Sequence, residues 1–324
     1  MKLQILIPQY NETDSIIKPM LDSIAIQQNI DFSEVGVIIC NDGSDTHLSE
    51  SLLQSYPYEI QYHLCPHQGV SATRNACLDR ATADYVMFCD ADDMFGSVYG
   101  LWMMFREMNG EGFDSMVSAF LEEGRLPDGS VIYTTHADDC VFVHGKIHRR
   151  QYLIDQQIRW NPRLTIHEDS FFNILCRSLS DNVKYCPTPF YLWKWRDDSV
   201  CRHDPKYILK TYNNLLDSCD ALCDEFVKRG LADKAAAQVA SIVFDAYYMM
   251  NKPEWLNQEN QEYRTATEMR FAEFFAKRKE LWLSVSDADK MQMSNGVRQR
   301  VINEGMMMEA FTLNEWLSNL TITR

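Results

Sequence analysis

The strongest constraint on what this chain can fold into lies in its first 95 residues, where four short apolar runs alternate with helix-patterned segments. Residues 3–7, 35–40, 58–64 and 85–89 read as strands. Between the first two, Ile16, Ile17, Met20, Leu21 and Ile24 recur at helical spacing and predict a helix over 13–28. Pro19 falls in its early part, where proline is better tolerated. Further helices are predicted over 46–54 and 71–80. Strands alternating with helices require right-handed crossovers, which gives a mostly parallel sheet flanked by helices on both faces.

From 97 to 200 the pattern is mixed. A helix is predicted over 97–109, a strand over 114–120 and a turn at Leu126-Pro127-Asp128-Gly129. Then come β segments near 131–134 and 139–143, helices over 146–156 and 168–179, and two short strands near 183–186 and 190–195. From 205 onward the chain reads as all-helical. Ile242, Val243, Ala246, Tyr247 and Met250 form one apolar face, and Phe271, Phe274, Phe275, Leu281 and Trp282 another. The expected organisation is therefore a catalytic domain over 1–204 and a helical C-terminal extension over 205–324.

Composition narrows the partners. There are 31 Lys plus Arg against 46 Asp plus Glu, a formal charge of −15. A balance this acidic disfavours a large nucleic-acid or anionic-lipid interface. The N-terminal apolar run is too short for a signal peptide, and no apolar run approaches the roughly 18 residues of a membrane-spanning helix. Ten cysteines are present without a CxxC pair. These features lead us to expect a cytoplasmic protein with reduced thiols and no transmembrane segment.

Acidic groups gather where strands end. Pro8, Tyr10 and Asn11 follow the first strand, Asp42 and Asp45 the second, and Asp90, Asp92 and Asp93 the fourth. Ligands of open α/β sheets bind beyond the carboxyl ends of strands. Three carboxylates directly after the apolar run Val86-Met87-Phe88-Cys89 repel one another unless a cation is shared between them. Hard divalent ions take oxygen ligands and bridge carboxylates to phosphates, so Mn²⁺ or Mg²⁺ is the expected cofactor. No GxGxxG or GxxxxGK[ST] loop and no HExxH is present, which disfavours a Rossmann dehydrogenase, a P-loop ATPase and a zincin.

Together these motifs resemble the family 2 glycosyltransferases of the GT-A fold. In order they are Pro8-Gln9-Tyr10-Asn11, Asn41-Asp42-Gly43-Ser44-Asp45, Gly69-Val70-Ser71-Ala72-Thr73-Arg74-Asn75, Asp90-Ala91-Asp92, His144-Gly145-Lys146, Glu168-Asp169 and Arg196-Asp197-Asp198-Ser199-Val200. The resemblance covers residues 1–205 and implies a Rossmann-like nucleotide-binding half. It implies an inverting, metal-dependent transfer of a sugar from a nucleotide-diphosphate donor, a UDP-sugar, to an acceptor hydroxyl. Pro8, Tyr10 and Asn11 then flank the nucleotide and Asp42 accepts a hydrogen bond from uracil. Arg74 and Asn75 line the ribose and diphosphate. Asp90 is the ribose and outer-sphere partner, Asp92 the direct metal ligand, Asp93 a lesser contributor, and His203 a further metal ligand. Lys146 contacts donor or acceptor from the start of a helix, and Arg196 contacts phosphate. Asp169 is the general base, with Glu168 positioning it or binding acceptor.

The expected acceptor is a glycan or lipid-linked sugar of cell-surface polysaccharide synthesis, with room for peripheral membrane contact by the helical extension. Other readings stand beside it: transfer to hydroxymethylated bases of phage DNA, a non-catalytic nucleotide-sugar or glycan binder, and a nucleotidyltransferase. The charge disfavours the first of these. The retained Asp90, Asp92 and Asp169 argue against the second, and the missing Gly- and Lys/Arg-rich loop after strand one against the third.

Overall fold

The computed structural model describes residues 1–139, 141–197, 204–305 and 313–322, so the His203 expectation lies outside the described residues. The chain divides into two compact units, Met1–Ser199 and Val200–Arg324. Among the described residues of the first unit, nine strands form one sheet. They are β1 (Leu3–Gln9), β2 (Val35–Asp42), β3 (Glu59–Cys65), β4 (Tyr85–Phe88), β5 (Met94–Phe95), β6 (Ser115–Arg125), β7 (Val131–His136), β8 (Lys146–Arg149) and β9 (Val183–Trp193). Their order is β3-β2-β1-β4-β8-β6-β9-β5, with β7 pairing β6 from the side.

The half that the N-terminal alternation foretells is parallel throughout: β1 runs beside β2 and β4, and β2 beside β3. All eight residues of β2 are buried, as a strand covered on both faces requires. Helix α1 (Asp14–Ala25) closes one face with Ile17, Met20, Leu21 and Ile24, which join Ile5, Ile7, Val37 and Ile39 in one apolar core. Helix α2 (Glu50–Leu53) is shorter than expected and is capped by the Ser49 hydroxyl. Helix α3 (Val70–Arg80) and helix α4 (Gly100–Asn109) follow.

Beyond β4 the sheet is mixed: β8 is inserted antiparallel between β4 and β6, while β6 runs parallel to β9. This corrects the expectation of a helix over 146–156. Lys146, Ile147 and His148 are instead the buried part of a central strand, and only Arg150–Asp155 (α5) is helical. Sheet partners on both sides overrode local helical preference. The described residues of the expected strand at 139–143 form no strand, and the Asp139 carboxylate accepts from the backbone N–H of both Val141 and Phe142. The two short strands near 183–186 and 190–195 are one strand, β9, with a register shift against β6 between Ser118 and Phe120. Pro187 and Pro189 fall in that shift, where a missing N–H costs no ladder bond. Helix α6 (Glu168–Ser178) is preceded by His167 in the left-handed region, at φ 61°.

The second unit is helical: α7 (Tyr207–Lys228), α8 (Ala232–Met250), α9 (Pro253–Leu256), α10 (Gln261–Ser284), α11 (Asp287–Asn303) and α12 (Leu313–Ile322). It has its own core, in which Leu216, Cys219 and Cys223 of α7 meet Val239 and Val243 of α8 and Phe271, Phe274 and Trp282 of α10. Arg278 is buried between α10 and α7 and pairs with Asp220 and Asp224, each at 2.6 Å. The described cysteines of both units are free thiols.

Candidate active site

Because β1 lies between β2 and β4, their carboxyl ends open side by side, at the point where the strand order reverses. A cleft of about 310 Å³ sits there, lined among others by Tyr10, Asp42, His67, Thr73, Asp90 and Asp92. Pro8 lines it as well, and so does Glu12.

Asp42 organises one wall. Its carboxylate accepts from the backbone N–H of Gln68 at 2.8 Å and of Gly69 at 2.9 Å, and lies 3.0 Å from His67 Nδ1. Gly43 allows this loop to close down. Its φ is +70°, and a Cβ there would meet the His67 backbone nitrogen at 2.7 Å. The His67 ring stacks on Tyr10 with centroids 4.6 Å apart. Both aromatic side chains remain largely exposed, as a stacking surface must. Asn11 turns the chain after β1 at φ 66°, its N–H donating to Ser44 Oγ at 2.8 Å.

Arg74 projects from α3 and is buried. It donates to Asp90 Oδ1 at 2.8 Å and to Glu168 Oε1 at 2.9 Å, with its guanidinium 4.5 Å from the Trp160 ring centroid. It therefore ties the acidic motif after β4 to the acidic start of α6. Asn75 follows Arg74 on α3. Its side-chain amide clamps Trp160, donating to the backbone carbonyl at 2.9 Å and accepting from the N–H at 3.0 Å. This holds the ring on which Arg74 rests.

Asp90, Asp93 and His144 each bring a ligand atom within 4.8 Å of the others. Asp93 is buried and fixed: it accepts from Tyr191 Oη at 2.7 Å and from the Lys194 N–H at 3.0 Å. Burial, then the charges of Asp92 and Asp90, push its carboxyl well above the usual range. His144 stacks between Tyr191 and Trp193, each with centroids 5.1 Å away. Trp193 is therefore part of an aromatic packing layer. Asp92 faces the cleft and is paired with Arg196 at 2.8 Å.

At the head of α6, Glu168 is engaged by Arg74, while Asp169 accepts from the Ser170 N–H at 2.7 Å. Burial and the neighbouring charge of Glu168 push the Asp169 carboxyl up to about 7, against the pull of Arg74. A carboxylate tuned to that range can hold or release a proton near neutrality. Lys146 does not line the cleft. It lies on β8, buried, with its ammonium 3.3 Å from Asp139 and 3.2 Å from the His144 carbonyl. It supports the loop that carries His144.

Sequence reasoning did not single out Glu12, His67, His144, Trp160 or Tyr191. His144 stood in a quoted motif beside Lys146, and Glu12 follows Asn11 directly. Trp160 and Tyr191 carry no such signal, because only the tertiary fold brings them to Arg74 and Asp93.

Residues 4–124 match the model of Glycosyl transferase family 2. The succinoglycan biosynthesis protein ExoM of Rhizobium meliloti (strain 1021) is 33% identical over 86 residues, 26% of this chain and 27% of that protein. The poly(ribitol-phosphate) beta-glucosyltransferase of Bacillus spizizenii (strain ATCC 23059 / NRRL B-14472 / W23) is 26% identical over 194 residues, 54% of this chain and 29% of that protein. The chain thus spans under a third of either curated relative. In structure it is similar to S. aureus TarS 1–349 in complex with UDP-GlcNAc, with a TM-score of 0.63 at 15% identity over 95% of this chain and 93% of that one. The shared architecture is the GT-A-type α/β fold with a helical C-terminal part.

Proposed function

We propose, from the premise that residues 4–124 form a family 2 glycosyltransferase segment, that this protein moves a sugar from a nucleotide-diphosphate donor to an acceptor hydroxyl. The donor is a UDP-sugar and the transfer is inverting. The relatives named for succinoglycan and poly(ribitol phosphate) chemistry support a cell-surface polyhydroxylated polymer or its lipid-linked precursor as acceptor. The observation that carries this reading is the single cleft uniting Tyr10, Asp42, Asp90 and Asp92, tied through Arg74 to the carboxylates at the head of α6.

Tyr10 and His67 offer a π surface to a nucleobase, and the Asp42 carboxylate beside them would accept a hydrogen bond from its edge. The donor set around Asp90 fits a hard divalent cation: carboxylate oxygens and an imidazole gather there, and burial, then the charges of Asp92 and Asp90, hold the Asp93 carboxyl high. Asp90 and Asp92 would hold Mn²⁺ or Mg²⁺, with Asp93 and His144 as the buried support. When bound, such an ion neutralises charge on a departing diphosphate. Asp169, ionised, takes the proton from the acceptor hydroxyl as that oxygen attacks the anomeric carbon. Burial, the charge of Glu168 and the pull of Arg74 set its proton affinity.

The test is thermal shift and product release with UDP-glucose, UDP-galactose and UDP-GlcNAc in the presence of Mn²⁺. A donor that binds stabilises the folded protein by mass action, and slow hydrolysis releases UDP. No stabilisation and no UDP from any nucleotide-diphosphate sugar sinks the reading.

A further inference from the structure

We propose that the hollow between α4 and the chain before β2 is a second carbohydrate-binding site, which grips a neutral oligosaccharide by one sugar ring against Trp102 and by hydroxyls on Asn29, Asp31 and Asn109. The use of such a site rests on the functional reading above. Its place does not: it shares no lining residue with the cleft.

The hollow measures about 510 Å³, within the roughly 300–1,000 Å³ range of small-molecule sites. Asp31 and Glu34 line it just before β2 begins, so it lies at the amino end of that strand, whereas Asp42 and the cleft lie at the carboxyl end. Helix α4 forms the facing wall. Its Leu101, Met104 and Met108 enter the apolar core, while Trp102 lies outside that cluster and faces the hollow. Trp102, Phe105, Arg106 and Asn109 follow one another at i, i+3, i+4 and i+7 spacing, which puts them on one side of the helix.

The polar groups of the hollow are not used up within the protein. Among the described residues, the side-chain amides of Asn29 and Asn109 make no hydrogen bond, and Arg106 pairs with no carboxylate. The Arg106 guanidinium lies 5.1 Å from the Trp102 ring centroid, and Tyr99 braces the indole edge-on at 6.3 Å. An exposed guanidinium held by a ring alone moves aside, or onto a hydroxyl, at small cost. Asp31 accepts from the Ser33 N–H at 2.9 Å, and a carboxylate has further lone pairs to offer.

A pyranose matches this set. Its C–H face is apolar and suits the negative face of an indole. Its rim of hydroxyls needs donors and acceptors together, and an amide supplies both. An acyl chain would bury the amides and carboxylates without partners. One guanidinium against Asp31 and Glu34 offers no positive field to a polyphosphate chain. A glycan chain long enough to reach both this hollow and the cleft would be held at a raised effective concentration beside the place of transfer.

The test is an NMR titration of the full chain with cellohexaose and with maltohexaose, alongside a UDP titration. At least one hexasaccharide should bind. Trp102→Ala should weaken it about tenfold and Asn109→Ala about fivefold, the sizes expected for one aromatic platform and one hydrogen-bonding amide. Trp102→Phe keeps a ring and should keep part of the affinity. Asn109 is exposed at the end of α4, so its variant probes the site even where Trp102→Ala disturbs the fold. Binding of neither sugar, or binding that Trp102→Ala and Asn109→Ala leave unchanged, overturns the inference. If UDP still binds in that case, the functional reading stands. Sugar binding that depends on Trp102 and Asn109 in a protein that binds no nucleotide would keep the site and remove that reading.

Discussion

At the scale of one side chain, the proposed general base Asp169 carries the sharpest expectation. Its carboxyl, pushed up to about 7 by burial and by Glu168, is a base only when ionised. Turnover should rise with pH through about 7, and Asp169→Asn should cut turnover about a hundredfold or more while flattening that rise. UDP affinity should be nearly unchanged, since the proposed nucleotide contacts, Asp42 and Tyr10, are left intact. The same shift makes a stability prediction of opposite sense. Unfolded aspartates titrate near about 3.9, so the folded state holds this proton more tightly. The group's contribution is fully favourable below about pH 4 and is lost as pH rises to about 7. Asp169→Asn should thus resist urea better than the unsubstituted protein at pH 8 and lose that advantage at pH 4. Equal stability at pH 8, or full turnover, counts against the assignment.

Single elements place these side chains by backbone rules. The loop before β8 carries His144 toward Asp93 through Gly145, at φ +69°, where a Cβ would lie 2.5 Å from Ser118 Oγ. Gly145→Ala should destabilise the first unit by about 2 kcal/mol, from left-handed strain and overpacking, as read from the urea midpoint. An unchanged midpoint would mean that β6 yields freely, against its close pairing with β8 and β9. Element type is legible where periodicity is long, as in α1 or β2. It fails at β8, where Lys146-Ile147-His148 has no local mark of a strand and is made one by β4 and β6. Lys146 moves with that correction, from a helix start facing ligand to a buried support of the His144 loop.

Over the whole molecule, charge and partition matter most. A formal −15 disfavours the positive field that a DNA interface needs. The protein should give no electrophoretic shift of duplex DNA at about 50 mM salt, where phosphate contacts are strongest. A salt-sensitive shift would bring back the modified-base acceptor. In the proposed reaction the acidic balance is compatible with a polyanionic donor, because the anion would meet Arg196 and a cation held between carboxylates, not the average surface. The two units have separate apolar cores. For the second, the aromatic spacing of Phe271, Phe274 and Trp282 already announces helical packing.

The sequence by itself determined the alternation that makes a parallel sheet and the placing of Pro8, Asp42 and Asp90 at strand ends. Both follow from local spacing and from which residues end strands. Only the tertiary structure decided that β1 lies between β2 and β4, which brings those ends into one cleft. It alone decided that Arg74 reaches both Asp90 and Glu168, the latter 94 residues away from it in sequence. It also turned Asn75 toward Trp160 and Arg196 toward Asp92. Those are long-range electrostatic and packing choices. A charged side chain settles on whichever partner the fold brings within hydrogen-bond reach, and spacing along the chain carries no record of that distance.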